Sequence, residues 1–498
     1  MTFSDKVHTL FTYLFHPKQS TQPVVPSNQD QKNGERAESS NKEPYSQRKS
    51  EIYNNDQFGA LSEVAASEPV EQPPDEQRAR IPSLEQRLSK STFRAIVPSG
   101  ASTGTNEAVE LRDKYTSVYG GRSVQTAISN IETVIGPSLV ESRLRVDTDQ
   151  KKIDQVMKDL DGTKTKGKLG ANAILGVSMA CARAGAAHLD VPLYEFLRRE
   201  SGAKKPFVMP VPFFNVLNGG AHSGNEMAFQ ETMIAPVGAS SITEAIQMGS
   251  EVYQELKKVI VKQFGLSAIG IGDEGGFAPP ISRPNEALDL LVQAVSNLGY
   301  TGRIKFAIDP ASSEFFQAGK YDIGFKGNSN VKSPKELMDL YRSLLENYPI
   351  ILLEDPFAEN DWDSWTEFNK MCPVELVGDD LLVTNTEYVQ MARDKKACNS
   401  MLLKINQIGT ISEAIEAANL AYSFDWGVFV SHRSGETTDD FIADLVIGLR
   451  TGHIKSGAPC RGERVAKYNR LMDIEADLLA HGEECLYAGS QFSMANKL

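Results

Sequence analysis

The sequence has few cysteines and none of the patterns on which cysteine chemistry depends. Its five cysteines are scattered, odd in number and never arranged as C-x-x-C. A zinc site and a disulfide framework are therefore both disfavoured, and we expect a reducing, cytoplasmic compartment. The cysteines are Cys181, Cys372, Cys398, Cys460 and Cys485.

Long apolar runs and an excess of positive charge are also missing. No uninterrupted apolar stretch approaches the ~20 residues of a membrane span, so we expect none. The formal net charge of −13 argues against nucleic acid as the main partner, because backbone phosphates attract basic surfaces. With 23% charged and 41% hydrophobic residues in 498 positions, the composition is typical of a soluble globular protein with two or three domains.

The first 81 residues differ from the rest of the chain. Residues 18–81 are rich in Gln, Ser, Asn, Pro, Glu and Lys and poor in large apolar residues. Such a composition cannot bury enough apolar surface to offset chain entropy, so we predict a disordered extension over residues 1–81. Apolar residues at helical spacing in the first 16 positions leave open a helix that binds a partner or a membrane surface.

The ordered part opens with a strand-like run and a loop of small residues. Residues 92–98 predict a strand, which leads into Ser99-Gly-Ala-Ser-Thr-Gly104. Such a loop is usually a turn, but it also suits a mobile lid whose backbone N–H groups and Ser102 face an anion or a metal. Helical patterns follow at residues 122–135, 150–160 and 169–189, and the small residues of the last favour close packing.

From residue 207 onward, apolar runs alternate with helical patterns. Eight strand candidates over about 290 residues fit a (β/α)8-type barrel. We therefore predict an α/β fold in which residues 206–498 form a barrel catalytic domain and residues 82–205 a smaller N-terminal α+β capping domain. The candidates are residues 211–217, 231–235, 269–274, 305–309, 350–354, 376–379, 401–404 and 427–431.

Three carboxylates close separate candidate strands: Asp309, Glu354 and Asp379. The catalytic side chains of such barrels gather at the C-terminal strand ends, where three acids repel one another without a cation. A lone acid at a strand end is more often a helix N-cap, but three on successive strands reverse that expectation. Hard oxygen ligands without Cys or an obvious His partner favour magnesium over zinc.

Cationic residues lie at or just after the ends of other candidate strands. Lys404 ends residues 401–404, and beside magnesium its ammonium form would be disfavoured, which suits a proton acceptor. Its alternative is a structural ion pair with one of the acids. Arg433 and Ser434 follow another run and suit phosphate or carboxylate binding, with His432 adjacent and Lys455 a further candidate cation.

Two glycine-rich loops add an acid and a histidine. Gly272-Asp-Glu-Gly-Gly276 contains Glu274, and Asn218-Gly-Gly-Ala-His-Ser-Gly224 contains His222, with Glu231 a few residues beyond. Glycines beside a charged residue usually indicate only a turn. Each loop follows a candidate strand, however, which is where barrel active sites are built. Together the residues suit proton abstraction next to a carboxylate.

Eight long motifs occur in one order along this part of the chain, and together they resemble the enolase (phosphopyruvate hydratase) family. A lysine or histidine base combined with magnesium is already described for the enolase superfamily. The motifs are Ser99-Gly-Ala-Ser-Thr-Gly, Lys168-Leu-Gly-Ala-Asn-Ala-Ile-Leu-Gly-Val-Ser, Asn215-Val-Leu-Asn-Gly-Gly, Gly272-Asp-Glu-Gly-Gly, Ala311-Ser-Ser-Glu-Phe, Glu354-Asp-Pro-Phe, Lys404-Ile-Asn-Gln-Ile-Gly-Thr and Ser431-His-Arg-Ser-Gly-Glu-Thr.

The resemblance implies magnesium-dependent interconversion of 2-phosphoglycerate and phosphoenolpyruvate, in glycolysis and gluconeogenesis, with two Mg²⁺ ions per active site. It implies that Lys404 removes the C2 proton and Glu274 acts as general acid, with support from Glu231 and His222. The implied ligands of the first Mg²⁺ are Asp309, Glu354 and Asp379, and Ser102 would bind the second. The implied substrate-binding residues are His222, Glu231, His432, Arg433, Ser434 and Lys455.

The chain departs from the family at its start. Enolases begin with a strand pair around Asp-Ser-Arg-Gly-Asn-Pro-Thr-Val-Glu, where this chain has Ile81-Pro-Ser-Leu-Glu-Gln-Arg-Leu-Ser-Lys-Ser. In the family that part packs at the homodimer interface, so we expect a homodimer that is weakened here. The altered start leaves a non-catalytic binding protein on an enolase scaffold as the alternative. A superfamily dehydratase or racemase with another substrate is disfavoured by Arg433 and Ser434.

Overall fold

The computed structural model describes residues 91–101 and 103–498. The predicted extension, residues 1–81, and the predicted metal ligand Ser102 lie outside the described residues. No helix within the described ranges has the length and apolar content that a membrane crossing requires.

Eight strands in the described part close into a barrel, which confirms the predicted α/β barrel fold. Neighbours in the barrel are neighbours along the chain, and the last strand pairs with the first. In chain order the strands are β1 (Val211–Asn218), β2 (Glu231–Ala235), β3 (Lys305–Asp309), β4 (Ile350–Glu354), β5 (Glu375–Gly378), β6 (Ser400–Leu403), β7 (Gly427–Ser431) and β8 (His453–Lys455).

Strand β2 runs against the other strands of the barrel. It is antiparallel to β1 and to β3, whereas the other neighbouring pairs are parallel. Antiparallel neighbours need no helical crossover, and residues 219–230 join β1 to β2 without an α-helix. The reversal places the first residue of β2, Glu231, opposite Asp309, the last residue of β3.

Of the eight predicted barrel strands one is wrong, and one strand of the barrel was missed. Residues 269–274 do not form a strand, because they lie in the loop between helices Ile242–Phe264 and Pro284–Asn297, which both belong to the connection from β2 to β3. This segment has the predicted short apolar run ending in an acid, but no neighbouring strand among the described residues hydrogen-bonds to it. An isolated β-bridge joins Ile271 to Phe277 within the same loop. The eighth strand is β8, which has three residues and begins with His453.

The predicted strand at residues 92–98 is also wrong. A strand needs a neighbouring strand for its backbone hydrogen bonds, and none lies beside this segment among the described residues. Its polar groups are satisfied by side chains instead. The Ile96 N–H donates to Asp439 Oδ2 at 2.9 Å, and the Arg94 carbonyl accepts from Arg183 at 2.7 Å.

The described part before the barrel is built from helices. The alanine-rich helix Ala171–His188 is almost entirely buried, as its small residues predicted. At Gly185, for example, an added Cβ would lie 2.3 Å from the Val146 carbonyl oxygen. The α-helices of this part are Gln125–Asn130, Gly136–Ser142, Gln150–Asp161, Ala171–His188 and Leu193–Ser201, with a π-helical stretch at Ile131–Ile135.

The barrel has an apolar interior and an outer layer of helices. Alternate residues of β1 to β7 fill the interior, and His453 of β8 stacks on Phe429 at a centroid distance of 4.5 Å. The remaining helices are Ile242–Phe264, Pro284–Asn297, Pro334–Asn347, Trp362–Asn369, Thr386–Lys395, Ile405–Ile408, Ile411–Ser423, Phe441–Leu449 and Gly462–Ala480. Short strands outside the barrel are Phe207–Met209, Phe316–Gln317, Lys320–Asp322, Val331–Lys332 and Cys485–Tyr487.

Candidate active site

The predicted charged residues meet at one end of the barrel. Parallel strands present their carboxyl ends at the same mouth, and Asp309, Glu354 and Lys455 are the last residues of β3, β4 and β8. Asp379 and Lys404 come directly after β5 and β6. The reversed strand β2 brings Glu231 to this mouth through its first residue.

Lys455 lies at the centre of three of these acids. Its Nζ is 2.7 Å from Glu354 Oε1, 3.0 Å from Glu231 Oε2 and 3.3 Å from Asp309 Oδ2. Burial alone would lower the pKa of Lys455, but the surrounding carboxylates raise it well above its usual range. The pKa values of Glu231 and Glu354 are raised well above normal, first by burial and then by neighbouring acids. Three buried acids therefore share one ammonium group, and the charged forms of Glu231 and Glu354 are disfavoured.

Lys404 forms an ion pair with Asp379, as in the alternative to a proton-accepting role that the sequence left open. Its Nζ lies 2.5 Å from Asp379 Oδ2. Burial lowers the pKa of Lys404, but the charge of Asp379 outweighs burial and the pKa is raised. Gln407 also donates to Asp379, at Oδ1 and 2.8 Å. The side chain of Asp379 is thus held by two hydrogen-bond donors, and one of them is the ammonium group of Lys404.

The oxygen donors at this mouth fit magnesium. Glu354 is fully buried, and its Oε2 has no hydrogen-bond partner among the described residues. An unpaired buried carboxylate oxygen is costly unless a cation or proton satisfies it, and carboxylate oxygens are the ligands that magnesium prefers.

The three predicted Mg²⁺ ligands are paired with two different lysines. Lys455 lies against Asp309 and Glu354, whereas Lys404 lies against Asp379. Two other groups bring their potential ligand atoms within 4.8 Å of one another. These groups are His222 with Glu231 and Glu274, and Asp355 with Asp379 and Asp380.

Glu274 lies between two histidines in a buried pocket. Its Oε1 is 3.4 Å from His222 Nδ1, its Oε2 is 3.6 Å from His432 Nε2, and Asn215 Nδ2 donates to Oε2 at 2.6 Å. Burial would raise the pKa of Glu274, but His432, His222 and the nearby cations lower it. The pKa of its neighbour Glu231 is raised. Opposed shifts in two close carboxyl groups are a recurring feature of acid–base sites.

Close backbone packing places Glu274 there. Gly272 and Gly276 bracket a tight turn, with the Gly272 N–H donating to the Gly276 carbonyl at 2.8 Å. A Cβ at Gly272 would lie 2.5 Å from the His222 carbonyl oxygen, so only glycine lets the two predicted loops meet. On the other side, the Ala458 N–H donates to the Glu274 carbonyl at 2.9 Å.

The small-residue loop lies against the predicted phosphate-binding residues. Ser99 and Gly435 exchange two backbone hydrogen bonds, at 3.0 and 2.8 Å, and the Ala101 N–H donates to Ser434 Oγ at 2.6 Å. Thr105 N–H donates to Glu359 at 3.0 Å. The described residues on both sides of position 102 therefore contact Ser434, Gly435 and Glu359.

Two residues that sequence reasoning missed hold the cationic side of the site. Glu107 pairs with Arg433, at 2.8 Å from Nη1 to Oε2. Arg464, in helix Gly462–Ala480, donates to the backbone carbonyls of Arg433 and Ser434. Glu107 had one signal in the sequence, its position just after the lid glycines. Arg464 had none, because its acceptors are backbone groups distant in the chain.

The fold and site define a class of protein: a (β/α)8-type barrel whose mouth gathers carboxylates and lysines under a helical N-terminal part. Comparison with family models then identifies the particular family. The model for the enolase N-terminal domain matches residues 82–197, and the model for the enolase C-terminal TIM barrel domain matches residues 206–496. This chain belongs to the enolase family.

Proposed function

We propose that the chain catalyses the reversible, magnesium-dependent dehydration of 2-phosphoglycerate to phosphoenolpyruvate. The observation that carries the proposal is the meeting of Lys404, Lys455, Glu274 and Arg433 at one barrel mouth in an enolase-family chain. These residues supply two proton-transfer groups and two cations for an anionic substrate.

The two anionic ends of the substrate have separate binding groups. Arg433 presents a planar guanidinium, and Ser434 a hydroxyl, for the phosphate. Lys455, already surrounded by acids, binds the substrate carboxylate. His432 and His222 border the substrate next to Glu274. The buried, preorganised arrangement of these groups lowers the entropic cost of reaching the reactive geometry.

The chemistry combines removal of a proton from C2 with protonation of the hydroxyl group that leaves C3. Lys404 accepts the proton from C2, the C2–C3 double bond forms, and the C3–O bond breaks. Glu274 gives its proton to the departing hydroxide, which leaves as water, and Glu231 and His222 support that side. In the reverse direction Lys404 gives a proton to C2 and Glu274 takes one from water. Hydration therefore starts with Lys404 protonated and Glu274 ionised, which agrees with the raised pKa of Lys404 and the lowered pKa of Glu274.

Metal ligands complete the proposal. Asp309, Glu354 and Asp379 would hold the first Mg²⁺ and Ser102 the second. Bound Mg²⁺ would place positive charge beside the substrate carboxylate, where negative charge develops during proton removal. We also propose a homodimer, which sedimentation of the purified chain would test.

An ultraviolet assay of phosphoenolpyruvate formation from 2-phosphoglycerate tests the proposal. We expect turnover with Mg²⁺ and loss of turnover when the metal is chelated. A folded, purified chain without activity under both conditions would contradict the proposal and support the alternative, a non-catalytic protein on this scaffold. Turnover by a racemase or dehydratase assay, but not with 2-phosphoglycerate, would point to another substrate.

A further inference from the structure

Arg464 is a fully buried arginine whose side chain joins two loops of the site. It is 1% exposed and lies in the first turn of helix Gly462–Ala480. Nη2 donates to the carbonyls of Asp273 and Ser434, and Nη1 donates to the carbonyl of Arg433. These hydrogen bonds are 3.0, 2.7 and 2.6 Å long.

The two loops carry different parts of the chemistry proposed above. Asp273 directly precedes Glu274, the proposed proton donor, whereas Arg433 and Ser434 are the proposed phosphate ligands. Their carbonyls come from loops more than 150 residues apart in sequence. One planar guanidinium, with five donors in a fixed geometry, sets the distance between the loops.

The same guanidinium also determines the hydrogen-bonding state of His432. Arg464 Nη1 is within hydrogen-bond distance of His432 Nδ1. An arginine can only donate, so Nδ1 must accept and the ring proton must be on Nε2. Burial lowers the pKa of His432 well below its usual value, which agrees with a neutral ring.

The assigned tautomer faces Glu274. His432 Nε2 lies 3.6 Å from Glu274 Oε2, and within the described part of the chain it has no hydrogen-bond partner at shorter range. An N–H at this atom points a donor at the carboxyl group that must take up and release a proton. The alternative tautomer would place a lone pair there and repel the carboxylate.

We propose that Arg464 is a positioning residue for the reaction, because it fixes His432 as the Nε2–H tautomer facing Glu274 and holds the two loops in register. The kinetic part of this inference rests on the proposed function, but the tautomer does not. The guanidinium of Arg464 is buried and hydrogen-bonds to groups of the protein. Loss of a residue that orients a neighbouring functional group typically costs about 10–100-fold in activity.

Nitrogen-15 NMR of histidine-labelled protein tests the tautomer directly. The chain has seven histidines, and the signal lost in His432→Gln assigns the residue. In the unaltered chain we expect a protonated Nε2 and an unprotonated Nδ1 at neutral pH. In Arg464→Met we expect this fixed tautomer to be lost and kcat to fall about 10–100-fold. Arg464→Lys keeps a charged donor near Nδ1, so we expect it to retain the tautomer and recover part of kcat.

Arg470→Met is the matched control, because Arg470 lies on the same helix and pairs with Asp444 at 2.7 Å, away from the mouth. It should lower stability but leave the His432 spectrum and kcat unchanged. An unchanged His432 tautomer in a folded Arg464→Met, or an equal loss of kcat in Arg470→Met, would overturn the inference. An inactive parent chain would contradict the proposed function, while the NMR spectra would still decide the role of Arg464.

Discussion

Glu107 holds Arg433 through two parallel hydrogen bonds. Nη1 lies 2.8 Å from Oε2 and Nη2 lies 3.1 Å from Oε1. Both side chains are almost fully buried. Glu107 also accepts from the Gly104 N–H at 3.1 Å. One carboxylate therefore links Gly104, at the end of the small-residue loop, to the proposed phosphate ligand and fixes the plane of its guanidinium.

We expect Glu107→Gln to raise the KM for 2-phosphoglycerate about 10–100-fold and to change kcat less. Replacing a charged partner costs about 1.5–3 kcal/mol, and this loss falls on the orientation of Arg433 rather than on proton transfer. Initial-rate measurements over a range of substrate concentrations would separate the two constants.

Glu387→Gln is the control for that substitution. Glu387 pairs with Lys164 at 3.0 Å on the surface, and exposed pairs contribute about 0–1 kcal/mol. Its kinetic constants should match those of the parent chain. If a folded Glu107→Gln variant keeps the parental KM, Glu107 does not orient the phosphate ligand.

We expect Lys404→Met to lower turnover about 10²–10⁴-fold, the usual contribution of a positioned proton-transfer group. It should also abolish exchange of the C2 proton of 2-phosphoglycerate with deuterium in heavy water. NMR follows this exchange independently of water loss. Retained exchange in the variant would rule out Lys404 as the base.

Lys166→Met separates this effect from a loss of stability. Lys166 is a buried lysine paired with Glu413 at 3.0 Å, in the contact between the N-terminal helices and the barrel. Its removal also takes an ammonium partner from a carboxylate, although Lys158 remains 3.2 Å from Glu413. We expect lower thermal stability in both variants, but normal turnover and exchange in Lys166→Met.

The sequence predicted the strand-end residues because each follows a short apolar run of the kind that fills a barrel interior. Asp309, Glu354 and Lys404 were placed at the mouth in this way. The same signature failed at residues 269–274, since a short apolar run ending in an acid also occurs in a partly exposed loop between two helices, where Ile271 is 43% exposed. Strand β8 was missed because three residues are too short to show a pattern.

Except for the ion pair of Lys404, the sequence did not predict how the charged residues pair. Lys455 is surrounded by three acids because β2 runs backward and brings Glu231 into the mouth. No residue pattern in β2 reports its direction. Nothing in the sequence indicated the role of Arg464 either. Most of its partners are backbone carbonyl groups, which every residue has, so no residue type marks the contact.

We expect the chain to be stabilised by Mg²⁺ and this stabilisation to be weaker in Asp309→Asn. A ligand at 100 times its dissociation constant adds about 2.7 kcal/mol to the free energy of unfolding. Thermal unfolding at increasing Mg²⁺ concentration measures the effect without substrate. Asp309→Asn should require at least about tenfold more Mg²⁺ for the same shift.

The exposed Asp339, 3.2 Å from Arg342, provides the control, and Asp339→Asn should respond to Mg²⁺ like the parent chain. The response should also strengthen with rising pH. Glu231 and Glu354 have raised pKa values, and a carboxylate must lose its proton to bind a metal. An identical Mg²⁺ response in Asp309→Asn and the parent would remove Asp309 from the metal ligands.

The last prediction concerns the pair that anchors the segment before the lid. Arg183 donates to both carboxylate oxygens of Asp439 at 2.8 Å, and Asp439 also accepts from the Ile96 N–H. Burial would raise the pKa of Asp439, but Arg183 and these hydrogen bonds lower it below its ordinary value of 3.8. Because the folded-state pKa is the lower one, the pair stabilises fully above about pH 4 and loses its contribution as pH falls through that pKa.

We therefore expect Asp439→Asn to lower the free energy of unfolding by about 1–3 kcal/mol at pH 7, with the difference from the parent shrinking as the pH falls below about 4. Urea unfolding at several pH values measures it. The neighbouring Asp440 is 3.1 Å from Arg183 but 43% exposed, so Asp440→Asn should cost no more than about 1 kcal/mol at any pH. A difference for Asp439→Asn that stays constant down to pH 2 would show that its carboxylate charge does not hold Arg183, and the anchoring of residues 94–96 would then rest on neutral hydrogen bonds alone.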